Sequence, residues 1–216
     1  MTALPDGTYL ILNGAHRGVA GFGLASDPNH MAVLYDPTKP VGARMSVMAN
    51  TTVDRFYHSE AILLQDGRVL VSGSDPETNG LLQEYRVEVF VPPYLSTGGT
   101  RPAFTLTSKD WAYGQTVTLT ITASTGTLKV SLLGAESSTH GNSMGQRTIF
   151  PATSCSGGAC IITAPPNSHV CPPGWFQVFL LDGGVPSLSQ WVRIGGDPGQ
   201  LGNWPAGLSS FTTPGL

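Results

Sequence analysis

The chain has 216 residues, with 27 glycines, 17 prolines and only 12% charged side chains, a composition of many tight turns that favours β-structure over helix. Its net charge of −3 gives no electrostatic reason to bind nucleic acid or an anionic membrane, and no apolar run approaches the roughly 20 residues that span a bilayer. The length accommodates one large all-β domain or two ordinary ones.

Met1 is followed almost at once by the polar turn Leu4-Pro5-Asp6-Gly7-Thr8, so no basic-then-apolar secretory leader opens the chain. Strand patterns begin there. Residues 8–14, 30–36, 59–65, 68–74 and 85–93 are short apolar runs bounded by Gly, Pro, Asp and Asn, as strands between turns should be. Leu4, Asp6, Gly7 and Leu10 are echoed by Leu64, Asp66, Gly67 and Leu70. In both places Asp-Gly joins two β-runs, a hairpin signal in which glycine supplies the positive φ of a tight turn. A multi-strand unit repeated at this spacing suggests propeller blades, too few here to close a ring that needs four to eight.

Between the first two runs, residues 18–23 read Gly-Val-Ala-Gly-Phe-Gly. The spacing is not the dinucleotide fingerprint and no βαβ unit surrounds it, so a glycine-rich blade connection is expected. Asn50-Thr51-Thr52 is a glycosylation sequon, which matters only in a secreted protein.

At Pro92-Pro93 the character changes, because two prolines remove donors and end a strand. From there residues 101–108, 115–124, 127–134, 146–152, 160–166, 175–182 and 187–196 give strand candidates at roughly ten-residue spacing, the pattern of an immunoglobulin-like sandwich. The predicted organisation is therefore 1–93 blades, 94–196 sandwich, and a Gly-, Pro- and Ser-rich tail over 197–216 that should be poorly ordered. No helix longer than three turns is expected in 1–196. Trp175 and Trp191 are expected in the sandwich core. Cys155 and Cys160 bracket Ser156-Gly157-Gly158-Ala159, a turn that would allow a disulfide between adjacent strands; two small buried hydrophobes are the alternative. Cys171 is then left over, or pairs with one of them.

Three side chains could carry chemistry. Tyr57 and His58 are adjacent just before a strand, and His140 sits in a Gly- and Ser-rich loop. Phenolate and imidazole suit oxidised copper, which favours N and O donors in tetragonal geometry; each motif alone is weak. His16, His30 and His169 have no metal spacing with one another and are expected at the surface or in turns. Arg147 is either structural or an orienting partner of a site.

Taken together, DRFYHSEAILLQDGRVLVSGSDP (54–76), EYRVEVFVPPYL (84–95), STHGNSMGQR (138–147) and APPNSHVCPPGWFQVFLLDGGVPSLSQWVRI (164–194) resemble, in order, the C-terminal landmarks of copper radical oxidases of the glyoxal oxidase and galactose oxidase type. The resemblance implies an all-β chain: the last blades of a kelch-type β-propeller, incomplete here, followed by an early set β-sandwich. It implies a site for one copper ion, with Tyr57 as axial ligand and base and with His58 and His140 as equatorial nitrogens meeting at the domain interface. The family's second redox element, a tyrosine cross-linked to a cysteine, has no candidate here, since all three cysteines lie in the sandwich. The resemblance further implies that a small aldehyde or primary alcohol is oxidised by O2 to give H2O2 by an extracellular enzyme. This chain would be a fragment lacking N-terminal blades and inactive alone. The alternative is a non-catalytic β-module that binds carbohydrate or protein.

Overall fold

The computed structural model describes residues 1–75, 83–144 and 146–196; the tail from Asp197 lies outside them. β1 (Thr2–Ala3) and β2 (Tyr9–Ile11) are followed by an exposed hairpin of β3 (Ala15–Gly18) and β4 (Ala25–Pro28). β5 (Met31–Tyr35) and β6 (Met45–Asn50) then complete an antiparallel sheet in the order β1-β2-β5-β6. β7 (Glu60–Leu63), β8 (Val69–Ser72) and β9 (Glu88–Phe90) form a second antiparallel sheet. The two Asp-Gly turns are built alike. Leu4 N donates to Thr8 O at 2.9 Å and Leu64 N to Arg68 O at 2.8 Å. Asp6 and Asp66 each accept a 3.0 Å bond from the backbone N–H two residues on, and Gly7 and Gly67 take φ of 92° and 82°, as such turns require. The sequence echo is a structural repeat.

A single turn of 3₁₀ helix, Pro93–Leu95, is the only helix among the described residues. Beyond it, β10 (Ala103–Leu106), β11 (Asp110–Trp111), β12 (Thr116–Ala123) and β13 (Leu128–Gly134) lead to a small hairpin of β14 (Ser137–Thr139) and β15 (Asn142–Met144). β16 (Thr148–Ile149), β17 (Thr153–Ser156), β18 (Ala159–Thr163), β19 (Gly174–Asp182), β20 (Val185–Pro186) and β21 (Gln190–Ile194) follow. One sheet runs β10-β12-β18-β17 and the other β11-β21-β19-β13-β16, with β20 on β19. The architecture is all-β, blade-like sheets followed by a two-sheet sandwich, and among the described residues the blades do not close into a ring.

β13 and β19 explain how the parts are joined. Val130 and Leu132, with Phe176, Val178 and Leu180, fill the sandwich core. The alternate residues Leu133, Phe179 and Leu181 fill a second core with Leu4, Leu10, Leu63, Val69 and Tyr94 of the blades and linker. This sheet is buried on both faces, so its strands read as near-continuous apolar runs. Polar ties lock the same seam. Tyr94 Oη donates to Gly67 O at 2.5 Å, and Arg101 Nη2 donates to Asp66 O at 2.7 Å and Ser187 O at 2.8 Å.

Two expectations need correction. Trp175 is 48% exposed, because β19's alternation sends Phe176 inward and turns Trp175 outward, toward the Arg193 guanidinium. Trp191 is only partly buried; among the described residues the fully buried indole is Trp111. Cys155 and Cys160 are directly opposed on β17 and β18 and joined as a disulfide, leaving Cys171 free and buried in the sandwich core.

Candidate functional site

The Tyr57–His58 segment is held from behind. Arg55 is almost completely buried, at 1% exposure, and its guanidinium donates to Glu88 Oε2 at 2.9 Å, to Arg86 O at 2.9 Å and to Gly73 O. Arg55 O in turn accepts from Gly14 N at 2.9 Å. Just beyond, Ser59 N donates to Phe56 O at 3.2 Å and Asp75 N to Tyr57 O at 3.0 Å, which closes the turn before β7. His58 takes φ of 62°, an uncommon conformation for a residue with a Cβ. Gly73 passes so close behind that a Cβ there would stand 2.6 Å from His58 O. Only glycine lets β8 end against this turn.

His140 arrives from the sandwich. It forms with Gly141 the two-residue turn of the β14–β15 hairpin, Thr139 pairing with Asn142. Both turn residues have positive φ, 55° and 74°, the pattern of a type I′ turn. Thr139 Oγ1 lies 2.7 Å from His140 Nδ1, so the hydroxyl engages one ring nitrogen and leaves Nε2 facing outward.

The structure brings the three side chains named from the sequence together. Tyr57 and His58 stack at 4.0 Å between ring centroids, and the His140 ring stands 5.4 Å from Tyr57 and 4.8 Å from His58. His58 Nε2 and His140 Nε2 are 3.2 Å apart across 82 residues of sequence. Phe22 abuts both Tyr57 and His58 edge-on, with centroids at 5.0 and 5.1 Å. The cluster opens into a cavity of about 330 Å³ that Asn13, Arg17 and Phe56 also line. His16 and His169 are exposed elsewhere, and His30 pairs with Asp54 at 2.7 Å. Arg147 donates to His169 O and Val170 O, each at 3.1 Å, a structural role in the sandwich.

The groups available to an ion here are two converging imidazole nitrogens, with the Tyr57 ring beside them. Among the described residues no three His, Cys, Asp or Glu side chains gather to hold a metal. Two ligand atoms each about 2 Å from one ion at a right angle stand about 2.8 Å apart. The Nε2–Nε2 separation of 3.2 Å is that distance slightly opened, so the pair fits a single N- and O-preferring ion. Phe22, Thr139 and Arg55 were not singled out from the sequence. Phe22 lay in a stretch legible only as glycine-rich, and the other two act through partners that no local pattern names.

Residues 1–94 match the family model for the glyoxal oxidase N-terminus, and residues 101–194 match that for the galactose oxidase-like, early set domain. The chain is 64% identical over 217 residues to a WSC domain-containing protein of Arthroderma benhamiae, covering 100% of this chain and 23% of that protein. It is 36% identical over 210 residues to the aldehyde oxidase GLOX of Vitis pseudoreticulata, covering 90% of this chain and 40% of that one. A solved structure of a fungal alcohol oxidase of the AA5 family in complex with copper is similar with a TM-score of 0.79 and 23% identity, over 89% of this chain and 41% of that chain. At that identity the likeness shows the fold. The chain spans less than half the length of each of these proteins.

Proposed function

The chain belongs to the glyoxal oxidase and galactose oxidase-like family, and from that premise we propose that Tyr57, His58 and His140 are the part of a copper radical oxidase's metal site that this chain contributes. The observation that carries the reading is the convergence of the two imidazoles, Nε2 to Nε2 at 3.2 Å, beside the Tyr57 ring. His58 and His140 would hold copper through Nε2, and Tyr57 would complete the set through its phenol oxygen. Copper, when bound, would supply one oxidising equivalent, and the family's cross-linked tyrosine–cysteine pair the other.

The chain's own residues orient and move protons. Thr139 holds the His140 ring by Nδ1, so Nε2 can act as a ligand. Tyr57 Oη would take the proton from the hydroxyl of a primary alcohol or a hydrated aldehyde as the carbon gives up its hydrogen. Two electrons and two protons leave the substrate and reach O2, giving H2O2. Phe22 packs edge-on against Tyr57 and His58 and braces both rings.

The radical pair is proposed to come from blades outside this chain. In support, Cys155 and Cys160 are consumed by a disulfide and Cys171 is buried in the sandwich. The disulfide also favours an oxidising, extracellular setting. The separate chain is therefore proposed to be inactive, and peroxide release from methylglyoxal, glyoxal or a primary alcohol tests this. Copper-loaded chain should give none. Robust turnover that disappears in Tyr57→Phe and His140→Ala would show that the second oxidising equivalent is encoded here after all.

A further inference from the structure

We infer that Glu136 is the positioning residue for His140: a carboxylate clamp across the seam between sandwich and blades sets the second imidazole of the site. This rests on the copper reading above. The β14–β15 hairpin needs such a clamp. Ser137, Thr139, His140, Gly141, Asn142 and Met144 are all exposed, and no residue of 137–144 belongs to either apolar core. A lone two-stranded hairpin is marginal in water, so polar contacts must hold this one in place.

Glu136 gathers them. Its Oε2 accepts from Leu63 N, at the end of β7, at 3.1 Å. It also accepts from Thr2 Oγ1 and Gln146 Nε2, each at 3.4 Å, while Oε1 accepts from Ser143 Oγ on β15. Gln146 extends the clamp, its Oε1 accepting from Ala3 N at 2.8 Å. One carboxylate thereby joins β1, β7 and both sides of the hairpin. Ser138 Oγ donates to Glu60, a tie that fixes only the β14 side, and the Met1 ammonium donates to Gly141 O at 3.2 Å, a single exposed bond at the turn. Thr139 sets the rotation of the His140 ring but touches nothing outside the hairpin that could set its place. Leu63 N, Gln146 Nε2 and Ser143 Oγ donate to Glu136, and the Thr2 hydroxyl shares its one proton between Glu136 and Gln146 Oε1, 3.2 Å away, a surround that suits an ionised carboxylate, an acceptor at both oxygens.

The test uses the metal-free chain first. Nuclear Overhauser contacts between the imidazole C–H protons of His58 and His140 should be present in the wild type and lost in Glu136→Leu. Glu136→Gln should restore them, because its oxygen can face Leu63 N while its amide donates to Ser143 Oγ, which passes its own proton to Met1 O at 2.8 Å. With Cu(II) added, Glu136→Leu should bind roughly 10-fold more weakly or worse, and its electron paramagnetic resonance spectrum should show one coordinated nitrogen in place of two. If Glu136→Leu does not fold, Ser143→Ala with Gln146→Leu removes two of the four donors and should weaken the same contacts. Retained contacts and two nitrogens in the folded leucine or double variant overturn the clamp. A wild type lacking the imidazole contact overturns the copper reading instead, and the clamp with it.

Discussion

The guanidinium of Arg55 lies 2.9 Å from the Glu88 carboxylate, directly behind the turn that presents Tyr57 and His58. Arg55 is 1% exposed, while the Glu88 side chain is 34% exposed, so the arginine is the member that cannot return to water if the pair is broken. Glu88→Ala should cost about 3 kcal/mol in urea unfolding, the range for stranding one partner of a buried pair. Loss of under about 1 kcal/mol would mean that the carbonyls of Gly73 and Arg86 suffice, since one charge-assisted bond contributes about that much or more.

Asp6 gives a pH dependence of known sign. Burial pushes its carboxyl above the usual aspartate value, although the Thr8 hydroxyl and N–H pull the other way. The folded chain therefore holds this proton more tightly than the unfolded one, and stability is lost as pH rises through the raised value. Asp6→Asn should match the wild type below about pH 4, the ordinary aspartate value, and exceed it at pH 7. Urea midpoints at both pH values check this, and an equal difference at each would contradict it.

The cysteines make separable predictions. Cys171 is buried, which raises its thiol to about 11 against a smaller opposing pull from Arg147, so it should not react with an aromatic disulfide reagent in the native chain at pH 8. Unfolding should release one thiol, and reduction three. Reducing Cys155–Cys160, five residues apart, opens a short loop and should cost about 2 kcal/mol of stability. A fast-reacting native thiol would place Cys171 outside the core.

Much of the fold is legible because its signals are local. Asp6-Gly7 and Asp66-Gly67 mark their hairpins through turn chemistry, and β13 and β19 stand out as long apolar runs because both faces are buried. The β3–β4 hairpin and β6 have no such mark. Their residues are largely exposed, so neither alternation nor an apolar run announces them. Trp175 and Trp111 show the same limit: a strand's pattern does not say which indole faces the core. At the site, Tyr57, His58 and His140 were legible through motif order and family resemblance, since each is common alone. Arg55 and Glu136 were not. The partners that give them their place, Glu88 for Arg55 and Leu63 for Glu136, stand 33 and 73 residues away, and a pairing at that range leaves no trace in the residues beside them.

The most direct test of the copper assignment is electron paramagnetic resonance of the chain with one equivalent of Cu(II), compared across histidine variants. The wild type should bind the first equivalent with two coordinated nitrogens. His58→Ala and His140→Ala should each show one, and the double variant should show neither at the same copper concentration, whereas His16→Ala should leave the spectrum unchanged. A double variant that keeps the wild-type spectrum and affinity would contradict the assignment, because copper would then be bound away from the point where His58 and His140 meet.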